Sequence, residues 1–244
     1  MGLQFKYAGD QAILVEVGEG IDPHTSGKVR SLAQKVESCS IPGFGEVILG
    51  YRSLLVNYDP LIISDDEVIQ WLQRWGQEPE VIQRSETRVV EIPTLYGGEW
   101  GPDLEDVAAH NGLTPQEVVE IHSGGDYLVY FLGFIPGYPF MGGMSEKIAT
   151  PRLSSPRVAI PAGSVGIAGK QTGIYPIQSP GGWRLIGRTP LRLYDPNRTP
   201  PFLLQAGDRV KFIPINEDEF SEIHESVLQG RYRPVTRGES VEPN

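Results

Sequence analysis

Residues 133–190 read GFIPGYPFMGGMSEKIATPRLSSPRVAIPAGSVGIAGKQTGIYPIQSPGGWRLIGRTP. Glycine and proline recur too often here for a long helix, since each costs about 1 and about 3 kcal/mol, respectively, in a helix interior. The stretch predicts short strands joined by specified turns, with much of the backbone free to approach a ligand or partner. Its charge also departs from the rest of the chain. Between residues 150 and 200, seven basic side chains (Arg152, Arg157, Lys170, Arg184, Arg188, Arg192 and Arg198) stand against one acid, Asp195. The 244-residue chain as a whole carries 21 basic and 31 acidic residues, a net charge of −10. A basic, turn-rich segment inside an acidic protein is a candidate anion site.

The same short β pattern extends on either side, from Tyr127 (YLVYFLGF) to Val210–Ile213, which suits a small barrel or sandwich. Two short helices precede it. Asp103 to His110 is closed by Asn111-Gly112, a left-handed cap. Thr114 with Glu117 has capping-box spacing and starts a helix running to about Ile121 or His122. Glu217 to Leu228 predicts a closing helix, and the tail after Pro234 is expected to fray. In the first 90 residues the apolar period switches repeatedly. Ala12–Val17 reads as a strand. Asp22-Pro23 then caps a helix whose buried face is Val29, Leu32, Ala33 and Val36. A Pro42-Gly43 turn leads to Glu46–Leu49 and Leu54–Tyr58 in hairpin relation across Gly50. Ser64 with Glu67 boxes a helix burying Val68, Leu72 and Trp75, and Arg88–Ile92 supplies a fourth strand. The order βαββαβ is that of a ferredoxin-like split βαβ unit. Polar Gln77–Glu86 reads as a linker. The expected fold class is therefore α+β: a ferredoxin-like domain over 1–87, a β-barrel domain over 88–232, and a tail over 233–244.

Composition excludes several functions. An apolar fraction of 39% sustains a core. The acidic balance is wrong for nucleic acid, whose phosphates need a basic footprint. One cysteine, Cys39, rules out a disulfide framework and fits a reducing compartment. There is no apolar run near the roughly 18 residues that a membrane span needs, and no signal-like start. A cytoplasmic location is expected.

Gly163–Gln171 (GSVGIAGKQ) superficially suggests a nucleotide loop. A P-loop has four residues between its glycines and a hydroxyl after the lysine; this segment has five, and Gln171 follows Lys170. A strand–turn–strand is the better reading. Ser164 lacks the nucleophile-elbow pattern, and Cys39 has no histidine beside it. His24, His110, His122 and His224 never pair at ligand spacing, so no metal site is expected. His122 ends a helix just before the barrel. It is a general acid–base candidate if it faces the basic segment, and a capping or buried histidine otherwise. Arg157, Arg184 and Arg188-Thr189 carry the chemistry of an anion site, because guanidinium forks and neighbouring backbone N–H groups grip carboxylate or phosphate. Their ordinary alternative is a solvated face or a set of ion pairs. Gln171, Thr172, Tyr175 and Trp183 add neutral hydrogen-bonding groups and an aromatic wall.

The segments YFLGFIPGYPFMGGM, PRLSSPRVAIPAGSVGIAGKQTGIYPIQSPGGWRLIGRTP and AGDRVKFIPI resemble the allophanate hydrolase subunit 1-like family. That family includes KipI and the B component of bacterial 5-oxoprolinase, PxpB. The resemblance covers nearly the whole chain and implies a cyclophilin-like barrel in its second part. It also implies one component of a hetero-oligomer, inactive alone, that works with a homologous cyclophilin-like C subunit and a separate A subunit. Such a complex opens the lactam of 5-oxo-L-proline to L-glutamate using ATP, with magnesium. The family motif covers the basic segment without saying which residue acts; our own expectation is that Arg157, Gln171, Tyr175, Trp183, Arg184, Arg188 and Thr189 bind the anionic substrate and that His122 is the catalytic group. The alternative within the family is a KipI-like inhibitor of a sensor histidine kinase.

Overall fold

The structure is a computed structural model that describes residues 2–79 and 87–239. The chain divides into two compact units, residues 1–85 and 86–244.

The first unit contains β1 (Gln4–Tyr7), β2 (Ala12–Glu16), α1 (Pro23–Ser38), β3 (Phe44–Leu49), β4 (Ser53–Tyr58) and α2 (Asp65–Gln77). Helix starts follow the local chemistry. Asp22 accepts the backbone N–H of Thr25 at 2.9 Å, with proline in the first turn. Ser64 and Glu67 form a reciprocal capping box, satisfying donors that no helical carbonyl can reach. The strands form an antiparallel sheet in the order β1-β2-β4-β3. Ile13, Val15, Leu54 and Val56 from this sheet pack with Val29, Leu32, Val68 and Leu72.

The second unit contains β5 (Thr87–Tyr96), α3 (Leu104–Asn111), α4 (Pro115–Ser123), β6 (Tyr127–Leu132), β7 (Pro139–Gly142), a 3-10 turn (Glu146–Ile148), β8 (Arg157–Ile160), β9 (Ser164–Ala168), β10 (Gln171–Ile174), β11 (Ser179–Gly181), β12 (Arg184–Arg188), β13 (Arg209–Pro214), α5 (Glu217–Leu228) and β14 (Thr236–Glu239). One sheet runs β10-β9-β12-β5-β13-β6-β7, with β14 also on β5. Its end strands β7 and β10 lie against each other, giving a nearly closed barrel consistent with a cyclophilin-like one. Val90, Ile92, Val129, Ile167, Ile174 and Phe212 fill it. β8 and β11 pair separately as a ribbon, and Tyr138, Ile160, Tyr175 and Trp183 form a second small core. No helix among the described residues is long and apolar enough to cross a membrane.

Three expectations are corrected. Arg88–Ile92 is not the fourth strand of the first sheet: it lies in β5, paired in parallel with β13 in the second unit. The order in the first unit is therefore ββαββα instead of βαββαβ. The split-βαβ core is there, since β4 lies between β2 and β3, but the edge beside β2 is taken by the N-terminal β1. Finally, the tail expected to fray contributes β14, which hydrogen-bonds to β5 in antiparallel register. The expected linker largely falls outside the described residues: α2 runs to Gln77, and residues 80–86 are not described.

Candidate functional site

The arginines of the basic segment differ in the partners that hold them. Structure distributes the candidate residues over three places in the second unit.

The first is the barrel interior. α4 delivers His122 to a position with no exposed surface. Its Nδ1 lies 2.7 Å from Tyr96 Oη, and its Nε2 lies 2.8 Å from Thr172 Oγ1. Thr172 in turn donates to the carbonyl of Gly166 at 3.2 Å. A hydroxyl has one proton to give, so Thr172 accepts from Nε2–H, and Nδ1 accepts from Tyr96. This is a neutral imidazole with both nitrogens engaged. Phe212 packs on its ring at 4.4 Å. Burial pushes the His122 pKa down to about 3, because a charged ring would lose its hydration without a counter-ion. Burial likewise lifts Tyr96 well above the ordinary phenol value, keeping it a donor. Gln171 starts β10 beside Thr172 and is half-buried.

The second place is the aromatic cluster beneath the β8–β11 ribbon. Tyr175 and Trp183 are buried there, with Tyr138 edge-on to both. Arg157 sits over this cluster and gives Nη2 to Asp103 Oδ1 at 2.8 Å and Nη1 to the Trp183 carbonyl at 3.4 Å. The other Asp103 oxygen accepts the Leu185 N–H at 2.7 Å. Arg184 pairs with Asp106 at 2.7 Å. Two carboxylates at the start of α3 therefore neutralise two of the candidate arginines.

The third place is a corner at the end of β12. Arg188 gives Nε to the Ala162 carbonyl at 2.9 Å, and its guanidinium lies 5.5 Å from the centre of the Trp100 ring. It forms no ion pair among the described residues, and burial holds its pKa below the ordinary value. Thr189 is buried, and its N–H bonds to the Gly163 carbonyl at 2.9 Å. Gly163 has φ +83°, and a Cβ there would meet the Thr189 oxygen at 2.4 Å; only glycine fits. Trp100 stacks on Phe220 at 4.6 Å, and its buried indole N–H has no hydrogen-bond partner. Arg188 is thus a half-buried cation without an acid partner among the described residues, beside a buried indole N–H that is also unpartnered.

Sequence reasoning missed Asp103, Asp106, Tyr96 and Trp100. The first two lie 54 and 78 positions from the arginines they hold, so no local spacing signals the pairing. The Gly163–Gln171 segment forms the β9–β10 hairpin, with Lys170 paired to Glu146 at 2.6 Å on the surface. It is the strand–turn–strand expected of it. No group of three or more metal-ligating side chains occurs among the described residues.

Residues 3–204 match the carboxyltransferase domain, subdomain C and D, and the chain belongs to that family. Its relatives are more specific. The chain is 49% identical over 231 residues to the 5-oxoprolinase B subunit of Bacillus subtilis strain 168, covering 89% of this chain and 95% of that protein. It is 44% identical over 212 residues to the 5-oxoprolinase B subunit of Escherichia coli O157:H7, covering 86% and 94%. Among solved structures, a conserved uncharacterized protein from Pyrococcus horikoshii is 52% identical, with a TM-score of 0.54, covering 89% of this chain and 100% of that one. The histidine-kinase alternative draws no support from these names.

Proposed function

We propose that the chain is the B component of an ATP-dependent 5-oxoprolinase, which with A and C subunits opens the lactam of 5-oxo-L-proline to L-glutamate. One observation carries this reading: the two 5-oxoprolinase relatives align over 95% and 94% of their own lengths. An unstrained amide is a poor electrophile, and phosphorylating its oxygen makes a better leaving group. The substrate carboxylate and the developing oxyanion both need fixed donors.

Arg188 is our choice for that contact. Its charge is not cancelled by an acid, its neighbour Thr189 is fixed by Gly163, and the Trp100 face orients it. Arg157 is assigned as a positioning residue held by Asp103, and Arg184 as a surface ion-pair partner of Asp106 with no part in the contact. Gln171 lies beside Thr172 at the start of β10, and Tyr175 and Trp183 build the separate aromatic cluster next to Arg157. His122 is likewise a positioning residue: a ring whose pKa is about 3 stays neutral at physiological pH, with both nitrogens occupied. ATP with its magnesium is assigned to the assembled complex. The β9–β10 hairpin does not fit a nucleotide, so no step is routed through it.

The test is an omission assay with purified subunits. The chain alone should release no glutamate from 5-oxoproline, and A with C should regain ATP-dependent release on its addition. Release by A and C that is indifferent to this chain would overturn the proposal.

A further inference from the structure

A second basic feature lies apart from the corner at Arg188. A pocket of about 280 Å3 opens between the segment after β12 and the chain just beyond α5. Arg192, Arg198 and Arg233 line it, together with Asn197, Tyr232 and one carboxylate, Asp195. Arg198 is held by its own loop, which takes four of its five N–H donors and leaves one on Nη1. It donates to the carbonyls of Pro200, Arg192, Leu193 and Pro201, each at 3.2 Å. Those acceptors fix its direction and leave its charge uncancelled. Arg192 reaches Asp195 only at 3.9 Å, and one oxygen of Asp195 already accepts the Asn197 N–H at 2.9 Å. Arg233 touches the carbonyls of Gly230 and Tyr232 at 3.3 and 3.5 Å, the loose end of hydrogen bonding. Burial, followed by the Glu91 carboxylate, raises the Tyr232 phenol above its ordinary pKa, so it remains a donor; Glu91 is itself paired with Arg237 at 2.7 Å. Three cations against one carboxylate leave the lining with two positive charges in excess.

We propose that this pocket binds a phosphate-class oxyanion, free or carried on a nucleotide, through Arg192, Arg198 and Arg233. A phosphate near neutral pH carries about 1.5 to 2 negative charges and offers a separate oxygen to each of three guanidinium groups. A single carboxylate matches one fork and leaves the second excess charge unmet. The site does not depend on the oxoprolinase reading, and its test uses no activity measurement.

The experiment is calorimetric titration of inorganic phosphate into the purified chain, with potassium chloride holding ionic strength constant. Arg192→Gln and Arg233→Gln are titrated alongside, separately and together; Arg198 is left intact because it holds its loop. The wild type should bind phosphate, and each substitution should weaken binding on the order of tenfold with an unchanged circular dichroism spectrum. ADP binding more tightly through the same arginines identifies a nucleotide as the source, and binding of phosphate alone identifies the free ion; either supports the site. Failure of the wild type to bind phosphate or ADP up to about 10 mM overturns it. So does equal binding by the variants, or preference for glutamate over phosphate.

Discussion

Acid should act on the second unit through His122, and the size of the effect follows from its burial. The imidazole is neutral in the fold, with its pKa pushed from 6.5 to about 3 by lost hydration. Below pH 6.5 the unfolded chain takes up a proton at this position and the folded chain does not. Stability is therefore lost as pH falls, by about 1.4 kcal/mol per pH unit, until the folded pKa is reached. Between pH 7.5 and 5 this single group removes about 2 kcal/mol. Carboxylates add to any acid effect, so the measurement compares the wild type with His122→Gln. The amide of that variant reaches toward Thr172 but leaves the buried Tyr96 hydroxyl unpaired, a cost of about 1–3 kcal/mol at pH 7.5. Urea unfolding in a Trp71→Phe/Trp75→Phe background reads the second unit through Trp100 and Trp183. The variant should start less stable, lose stability more slowly with acid, and converge on the wild type near pH 5. Parallel pH profiles would refute the neutral, sequestered imidazole.

Substitutions at two further positions test the supports of the candidate site. Asp103→Ala removes the partner of Arg157 and leaves the Leu185 N–H unpaired, which should lower stability by about 2–4 kcal/mol. Asp103→Asn should recover part of that loss in urea unfolding, and a change below about 0.5 kcal/mol in the alanine variant would show that the network is idle. Gly163→Ala drives a Cβ into the Thr189 carbonyl at positive φ, costing about 2–4 kcal/mol in the same assay. A variant as stable as the wild type would mean that the turn is not held as described.

Local chemistry is readable in the sequence; partnerships across the chain are not. Asp22, Ser64 and Thr114 cap helices through residues three positions on, and each cap is present. The β9–β10 hairpin is likewise visible in its own glycines, because Gly169 takes the left-handed turn. Gln4–Tyr7 alternates polar and aromatic residues over only four positions, too short a run to stand out, and its side chains are mostly exposed. Arg88–Ile92 (RVVEI) reads as a β-branched strand whichever sheet accepts it, and its parallel partner begins at Arg209. The seven-to-one charge excess suggests one anion groove. Asp103 and Asp106 divide it by neutralising Arg157 and Arg184, leaving Arg188 as the candidate arginine without an acid. His122 reads as the end of a helix facing a loop, and its burial rests on Thr172, 50 positions later.

The assignment of Arg188 as the substrate's charge partner is tested most directly by glutamate release from the assembled three-component complex. Arg188→Ala should lower kcat/KM by about 10- to 100-fold, the worth of one charge-assisted contact. Arg184→Ala, which frees Asp106 at the surface, should stay within about threefold of the wild type. Wild-type turnover by Arg188→Ala, or a greater loss in Arg184→Ala, would contradict the account.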